Sequence, residues 1–159
     1  MDVRFKINDA KFKFRVSAII VEDGKLLLEK YGEDRYCLPG GTVNINETSE
    51  NAICRETNEE IGFDFNIEKL AGVTEEFFVN CRGDKTHAIN FYYKMNFKNK
   101  NDINSIDYDR IEDDHGVIIN HHFKWFALNE VESINLVPAQ IKKPIVDGTN
   151  NFHYVIDDN

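Results

Sequence analysis

Three glutamates, Glu56, Glu59 and Glu60, stand at i, i+3 and i+4 in a segment without Gly or Pro. On a helical wheel they fall on one arc, where like-charge pairs destabilise a helix by about 0.2–0.5 kcal/mol each. Glu59 and Glu60 would lie in the last turn, where the macrodipole favours cations by about 0.3–1 kcal/mol. A divalent cation reverses the sign of both effects, and hard ions such as Mg²⁺ or Mn²⁺ prefer oxygen ligands of this kind. The competing reading is a solvated acidic face, the ordinary meaning of three glutamates taken alone.

The residues around the glutamates specify how they are held. Thr48 or Ser49 offers an N-cap and Gly62 a terminator, so a helix is expected from there to Ile61. Ile53, Thr57 and Ile61, beside Cys54, form the stripe expected to pack on a sheet, while Ala52 falls on the acidic arc and leaves room for a ligand. Upstream, Tyr36-Cys37-Leu38 reads as a short extended piece ended by Pro39-Gly40-Gly41, a tight loop that exposes its backbone. Phe12 to Val21 and Lys25 to Tyr31 read as a hairpin turning at Asp23-Gly24. Asn66 to Asn80, bent near Gly72, and His87 to Phe97 read as further strands. Lys98 to Asp114 reads as a long polar loop around a short Ile103 to Tyr108 segment; a strand at Phe123 to Ala127, a helical turn at Asn129 to Ile134 and a short helix at Ala139 to Val146 follow. Strands interspersed with a few helices indicate an α/β or α+β layering around a mixed sheet.

Composition sets the outer limits. A chain of 159 residues, 42% hydrophobic and 30% charged, is sized for one domain, expected to span 1–159. Its formal charge of −9 provides no broad basic face, so non-specific nucleic-acid binding is not expected and a bound phosphate needs cationic help. The apolar run from Ala18 to Val21 is too short to cross a bilayer, and the N-terminus lacks a signal-peptide core. Cys37, Cys54 and Cys81 form no C-x-x-C pair and are odd in number, which fits a reducing cytoplasm with no disulfide framework.

Gly41, Glu47, Arg55-Glu56, Glu59-Glu60, Gly62 and Phe63 together reproduce the frame G-x5-E-x7-R-E-u-x-E-E-x-G-u, where u is bulky and aliphatic. This segment strongly resembles the Nudix box, and an accidental match at these spacings has odds on the order of 10⁻⁶. Thr57 departs from it, standing where an aliphatic residue is usual. The resemblance implies the Nudix fold, an α/β/α sandwich around a mixed β-sheet. It implies Mg²⁺ or Mn²⁺ held by Glu56, Glu59, Glu60 and the Gly40 carbonyl, with Glu47 paired to Arg55. The implied activity is hydrolysis of a phosphoanhydride in a nucleoside diphosphate linked to another moiety; the alternative is a non-hydrolytic, nucleotide-binding regulatory domain of the same family. The implied partner is a small nucleotide, and a homodimer is within the family's range.

Glu56 or another box glutamate is the first candidate for the base that takes a proton from water, with Glu75, Glu76, Glu112, Asp113 and Asp114 as candidates outside the box. Arg15, Tyr36, Gly40 and Gly41 are the substrate-binding candidates, Arg15 for phosphate and Tyr36 for the base of the nucleotide. An edge charge and a core aromatic are the plain readings of Arg15 and Tyr36. By family comparison, residues 76–83 lack the proline expected for ADP-ribose and the tyrosine expected for dinucleoside polyphosphates. Oxidised nucleoside triphosphates, nucleotide sugars and capped or triphosphorylated RNA ends remain. His121 and His122, adjacent in a strand, point to opposite faces and cannot chelate one ion together, so no zinc site is expected.

Overall fold

A computed structural model describes residues 1–31, 33–80, 83–99, 108–114 and 117–158; at 31, 108, 110–114 and 117–119 the backbone alone is described. Cys81 lies outside the described residues. The strands are β1 (Arg4–Ile7), β2 (Ala10–Glu22), β3 (Lys25–Tyr31), β4 (Arg35–Cys37), β5 (Phe65–Val79), β6 (Lys85–Phe97), β7 (Tyr108–Asp114), β8 (Val117–Ala127) and β9 (Phe152–Asp158). Helix α1 (Ser49–Ile61) follows β4, and α2 (Lys142–Val146) continues a 3-10 turn at Ala139–Ile141. Another 3-10 turn spans Leu128–Ser133.

The strands run β7-β8-β3-β2-β6-β5-β9, with β1 added to β2 and β4 to β3. β2 pairs parallel with β6, and β5 parallel with β9, while the other pairs are antiparallel, so the sheet is mixed as expected. Asp23 and Gly24 both take positive φ, 48° and 73°, the conformation of a two-residue hairpin turn matched to strand twist. β5 carries register shifts between Ile67 and Lys69 and between Leu70 and Gly72, which is the expected bend.

Alternation along β2 divides the core between the two faces. Val16, Ala18 and Ile20 join Ala52, Ile53 and Ile61 of α1 in one buried cluster. Ile19, on the opposite face, joins Leu136, Ile141 and Ile145 beneath the 3-10 turns and α2. Helical elements therefore cover both faces, giving the expected α/β/α sandwich. Among the described residues no helix is long and apolar enough to cross a membrane.

Some elements differ from expectation. Tyr108–Asp114, read as loop, is a strand paired along its length with β8, and β8 begins at Val117 instead of Phe123. Cross-strand pairing overrides the low intrinsic strand preference of Asp and Asn in this stretch. The sequence reading assigned no element to the short strands β1 and β9, although Arg4-Phe5-Lys6-Ile7 alternates charged and apolar residues.

Candidate active site

Helix α1 begins where Thr48 Oγ1 accepts the Asn51 N–H at 3.2 Å and ends at Gly62, whose φ of 85° lets its N–H reach the Asn58 carbonyl at 2.9 Å. Its buried residues are Ala52, Ile53, Thr57, Glu60 and Ile61. Thr57 occupies the expected stripe and donates its hydroxyl to the Ile53 carbonyl at 2.8 Å, which satisfies the one polar atom its departure from the aliphatic pattern introduces. Cys54 is exposed, outside that stripe. Ala52 is fully buried and packs in the core instead of lining a ligand space.

The glutamates share a helix but not an environment. At 100° per residue Glu60 lies about 20° from Ile53 on the wheel, because an i+4 series drifts toward the core face as it advances. Glu60 is accordingly 7% exposed, whereas the Glu59 side chain is 49% exposed and that of Glu56 14%.

Backbone conformation at Pro39-Gly40-Gly41 brings the loop against α1. The Pro39 and Gly41 carbonyls accept the N–H groups of Ala18 and Val16, at 2.8 and 3.0 Å, which ties the loop to β2. Between them the Gly40 N–H donates to Glu60 Oε2 at 2.9 Å. Gly40 has a φ of 145°, and a Cβ there would lie 2.2 Å from the Val16 carbonyl oxygen. A Cβ on Gly41 would lie 2.2–2.4 Å from the Glu56 carboxyl group. Both glycines are thus required by close approach: one to β2, the other to a carboxylate.

Arg55 is the hub. Its Nε and Nη2 donate to the two oxygens of Glu47, each at 2.9 Å, and Nη2 also reaches the Thr42 carbonyl at 3.1 Å. Its Nη1 donates to Glu56 Oε1 at 2.8 Å and Glu59 Oε2 at 3.0 Å. One guanidinium therefore offsets part of the repulsion expected between the carboxylates. The bonds to Glu47 hold Arg55 firmly protonated, and Arg55 in turn lowers Glu47 below the usual carboxylate range. Glu60 shifts the other way: burial, with the charges of Glu29 and Glu56, raises it well above that range, against the opposing influence of His121 and the Gly40 N–H.

Comparison with known proteins turns this geometry into kinship, for the model of the NUDIX domain matches residues 11–146. The chain belongs to the Nudix family. A MutT-like protein of Streptomyces ambofaciens is 37% identical over 60 residues, 36% of this chain and 39% of that protein. A low-salt glycan biosynthesis protein, Agl8, of Haloferax volcanii is 36% identical over 67 residues, 40% and 43% of the two chains. Each match thus covers about two-fifths of the relative. Over the whole fold the mutator MutT protein of Bacillus halodurans superposes with a TM-score of 0.61 at 18% identity, covering 90% of both chains.

Within this Nudix domain the structure adds Glu29, which the sequence reading missed, and His121, which it weighed only as a zinc ligand beside His122. Glu29, on β3, shares the helix-facing side with Leu27, and its Oε1 lies 2.6 Å from Nδ1 of His121 on β8. Glu29, Glu60 and His121 each bring one donor atom within 4.8 Å of the others. The signal for Glu29 was an acidic residue at an inward position of the run Leu26-Leu27-Leu28; His121 announced itself only through its parity with Phe123. His122, as expected, faces away, exposed and paired with Asp109.

The remaining candidates are dispersed. Arg15 lies on the sheet face opposite α1, and among the described residues its buried Nε has no hydrogen-bond partner. Tyr36 packs edge-on against Phe126 at 4.8 Å, in keeping with its reading as a core aromatic. Glu75 lies 2.9 Å from His87 Nε2, and Glu76 Oε1 accepts from the hydroxyls of Thr74 and Tyr92, so each has a partner away from the box. Glu112, Asp113 and Asp114 fall on β7, but their side chains lie outside the described residues.

Proposed function

We propose that this Nudix domain is a metal-dependent pyrophosphohydrolase acting on a nucleoside diphosphate linked to another moiety. The observation that carries this reading is the approach of Glu60 to the Gly40 N–H and of Glu56 to Gly41, with Glu59 held beside Glu56 by the Arg55 that locks helix to loop through Glu47. The donor set fits a divalent cation: carboxylates of graded exposure gather beside a loop whose glycines admit close approach, and Glu60 is buried with acidic neighbours.

Glu56, Glu59, Glu60 and the Gly40 carbonyl would hold Mg²⁺ or Mn²⁺, which when bound would supply charge neutralisation for the diphosphate and acidify a water. The chain's own residues do the rest. Glu56, set against Gly41, takes the proton as the water oxygen bonds to phosphorus. The bridging P–O bond breaks, and its electron pair leaves with the departing phosphate-bearing group. Arg55 orients Glu56 and Glu59, while Gly40 and Gly41 stand nearest the phosphate; Arg15, on the sheet face opposite α1, is the outlying phosphate candidate. Tyr36, packed against Phe126, is the candidate contact for the base.

The matched region stops short of β1 and β9, yet both strands pair into the same sheet, which supports reading residues 1–159 as one domain. The non-hydrolytic alternative is disfavoured because every charged residue of the box is present. The test is phosphate or AMP release from a panel of oxidised nucleoside triphosphates, nucleotide sugars and triphosphorylated RNA ends with Mg²⁺ or Mn²⁺. Glu59→Gln and Glu60→Gln variants run beside the parent. Release by the parent and its loss in folded variants is the expected result; undiminished release by the variants would reject the metal-binding role.

A further inference from the structure

The hairpin that precedes the box carries charge of one sign on one face. β1 and β2 pair with Arg4 opposite Lys13 and Lys6 opposite Lys11. Alternation along β2 puts Lys11, Lys13 and Arg15 on the face that Ile19 shares, away from α1. Five of the chain's nineteen basic residues thus stand on one hairpin face in a protein of formal charge −9.

Local stability argues against this arrangement. Like charges directly opposite each other on paired strands destabilise a sheet, and two such pairs follow one another here. Lysines on an edge strand block pairing with another chain, but β2 is an interior strand flanked by β1 and β6. Two aspartates give partial relief: Asp2 meets Arg4 at 2.9 Å, and Asp84 is shared between Lys6 and Lys11, at 2.7 and 2.5 Å. One carboxylate between two ammonium groups leaves a positive remainder. On β6 the residues beside Lys11, Lys13 and Arg15 are Thr86, Ala88 and Asn90, none of them acidic. Glu76, next on that face in β5, accepts from the hydroxyls of Thr74 and Tyr92. At the inner end of the row, among the described residues, the buried Nε of Arg15 has no hydrogen-bond partner. A polyanion laid along the row would turn both like-charge pairs from a cost into a gain.

The row leads to the box. Arg15 bridges to Thr42, and the next residue, Val16, donates its N–H to the Gly41 carbonyl at 3.0 Å. A phosphate chain reaching past Gly41 over this strand meets Arg15 first, then Lys13 and Lys11 at steps of about 6.8 Å, twice the rise per residue of a strand. A diphosphate ending in a neutral sugar has no charge to offer there.

We propose that the basic face of β1 and β2 binds phosphates beyond the scissile diphosphate, so that the substrate is a nucleoside triphosphate or a 5′-triphosphorylated RNA and not a nucleotide sugar. The position of the scissile bond rests on the pyrophosphohydrolase reading; the binding of a phosphate chain does not.

The experiment uses the full chain. Calorimetric titration of tripolyphosphate into the metal-free protein, over a range of salt concentrations, reads the row without help from the box. The parent should bind, with an affinity that falls as salt rises. Lys11→Gln and Lys13→Gln should each weaken binding about 3–10-fold and flatten the logarithmic salt slope by about 0.7, the signature of one lost phosphate contact. Lys6 keeps its pairing with Asp84 in Lys11→Gln, and Lys98→Gln, which lies beside Asp64 away from the hairpin, should change neither quantity. KM with Mg²⁺ for a nucleoside triphosphate, a 5′-triphosphorylated RNA and a nucleotide sugar gives the second readout. Lys11→Gln should raise KM for a triphosphate substrate and leave that for the sugar unchanged, and the substrate on which the rise appears tells mononucleotide from RNA. No tripolyphosphate binding by the parent, a measurement that needs no variant to fold, would overturn the proposal even with turnover intact. So would a salt slope unchanged in both variants, or turnover confined to nucleotide sugars. Tripolyphosphate binding with flattened slopes but no turnover on any substrate upholds the basic face and rejects the pyrophosphohydrolase reading.

Discussion

The guanidinium of Arg55 meets the carboxylate of Glu47 through two parallel N–H···O bonds, Nε to Oε1 and Nη2 to Oε2, each 2.9 Å. This fork-to-fork contact joins the loop before α1 to the middle of the helix, and Glu47 also accepts the Asn44 N–H at 2.9 Å. The same guanidinium continues to Glu56 and Glu59. Glu47 therefore acts on the carboxylates at one remove: it fixes the group that aims them.

Glu47→Gln should lower stability by about 1–2 kcal/mol at neutral pH, the range for losing a charged hydrogen-bonded partner when others remain. Because Arg55 depresses Glu47 in the folded protein, the native state binds fewer protons than the unfolded chain. The contribution is full above the ordinary carboxylate value of about 4.3 and is lost as pH falls through the lower folded value. Urea unfolding at pH 7 and in steps to pH 3 should show the parent's advantage shrinking below about pH 4.3. An advantage independent of pH would remove Glu47 ionisation from the account.

Gly41→Ala should uncouple activity from stability. The added methyl would lie 2.2 Å from the Glu56 carboxyl carbon, the end of a flexible side chain that can swing aside. The fold survives while Glu56 is misplaced, and a displacement on the order of 1 Å at a reacting group costs about 100-fold in turnover. Gly40→Ala differs, since its methyl would lie 2.2 Å from the Val16 carbonyl oxygen and φ is 145°. Backbone strain of about 1–3 kcal/mol should then appear as a lower melting temperature. Thermal melts beside steady-state kinetics separate the two, and matching losses in both variants would refute the distinction.

What could be read from the sequence was local, and what escaped it was long-range. The cap at Thr48, the stop at Gly62 and the turn at Asp23-Gly24 depend on residues within a few positions of one another, and each is where spacing placed it. The box pairing of Glu47 with Arg55 came from resemblance alone and is observed. Glu60 is buried as its nearness to Ile53 on the wheel requires, which grouping the three acids by charge overlooked. Glu29 and His121 meet across 92 positions, and no window of sequence contains that contact. β7 escaped for another reason: it pairs with its immediate neighbour β8 although its own residues are mostly polar and charged.

Arg15→Met tests whether an unpaired donor is kept for a ligand. Among the described residues the buried Nε of Arg15 has no hydrogen-bond partner, an arrangement that costs about 1–3 kcal/mol relative to a satisfied group. Methionine retains much of the stem without the donor, so the variant should be as stable as the parent or more stable by about 1 kcal/mol. If the donor serves phosphate, KM should rise about tenfold, equivalent to about 1.4 kcal/mol of binding. A stabilised variant with unchanged KM would return Arg15 to the plain reading of a sheet residue.

Millimolar Mg²⁺ should raise the melting temperature of the parent more than that of Glu59→Gln or Glu60→Gln. A ligand bound only by the native state stabilises it by RT ln(1 + [L]/Kd), about 1.4 kcal/mol at ten times Kd. For a chain of this size that corresponds to about 3–6 °C. Glu59→Gln is the cleaner comparison, because its side chain is 49% exposed and meets Arg55 at the surface, so substitution should leave the ion-free melting temperature within about 2 °C. Glu60→Gln removes a buried carboxylate that burial and its acidic neighbours disfavour, so its ion-free protein should melt no lower than the parent. Equal Mg²⁺ shifts in all three proteins would mean that the acidic side chains of α1 do not hold the cation.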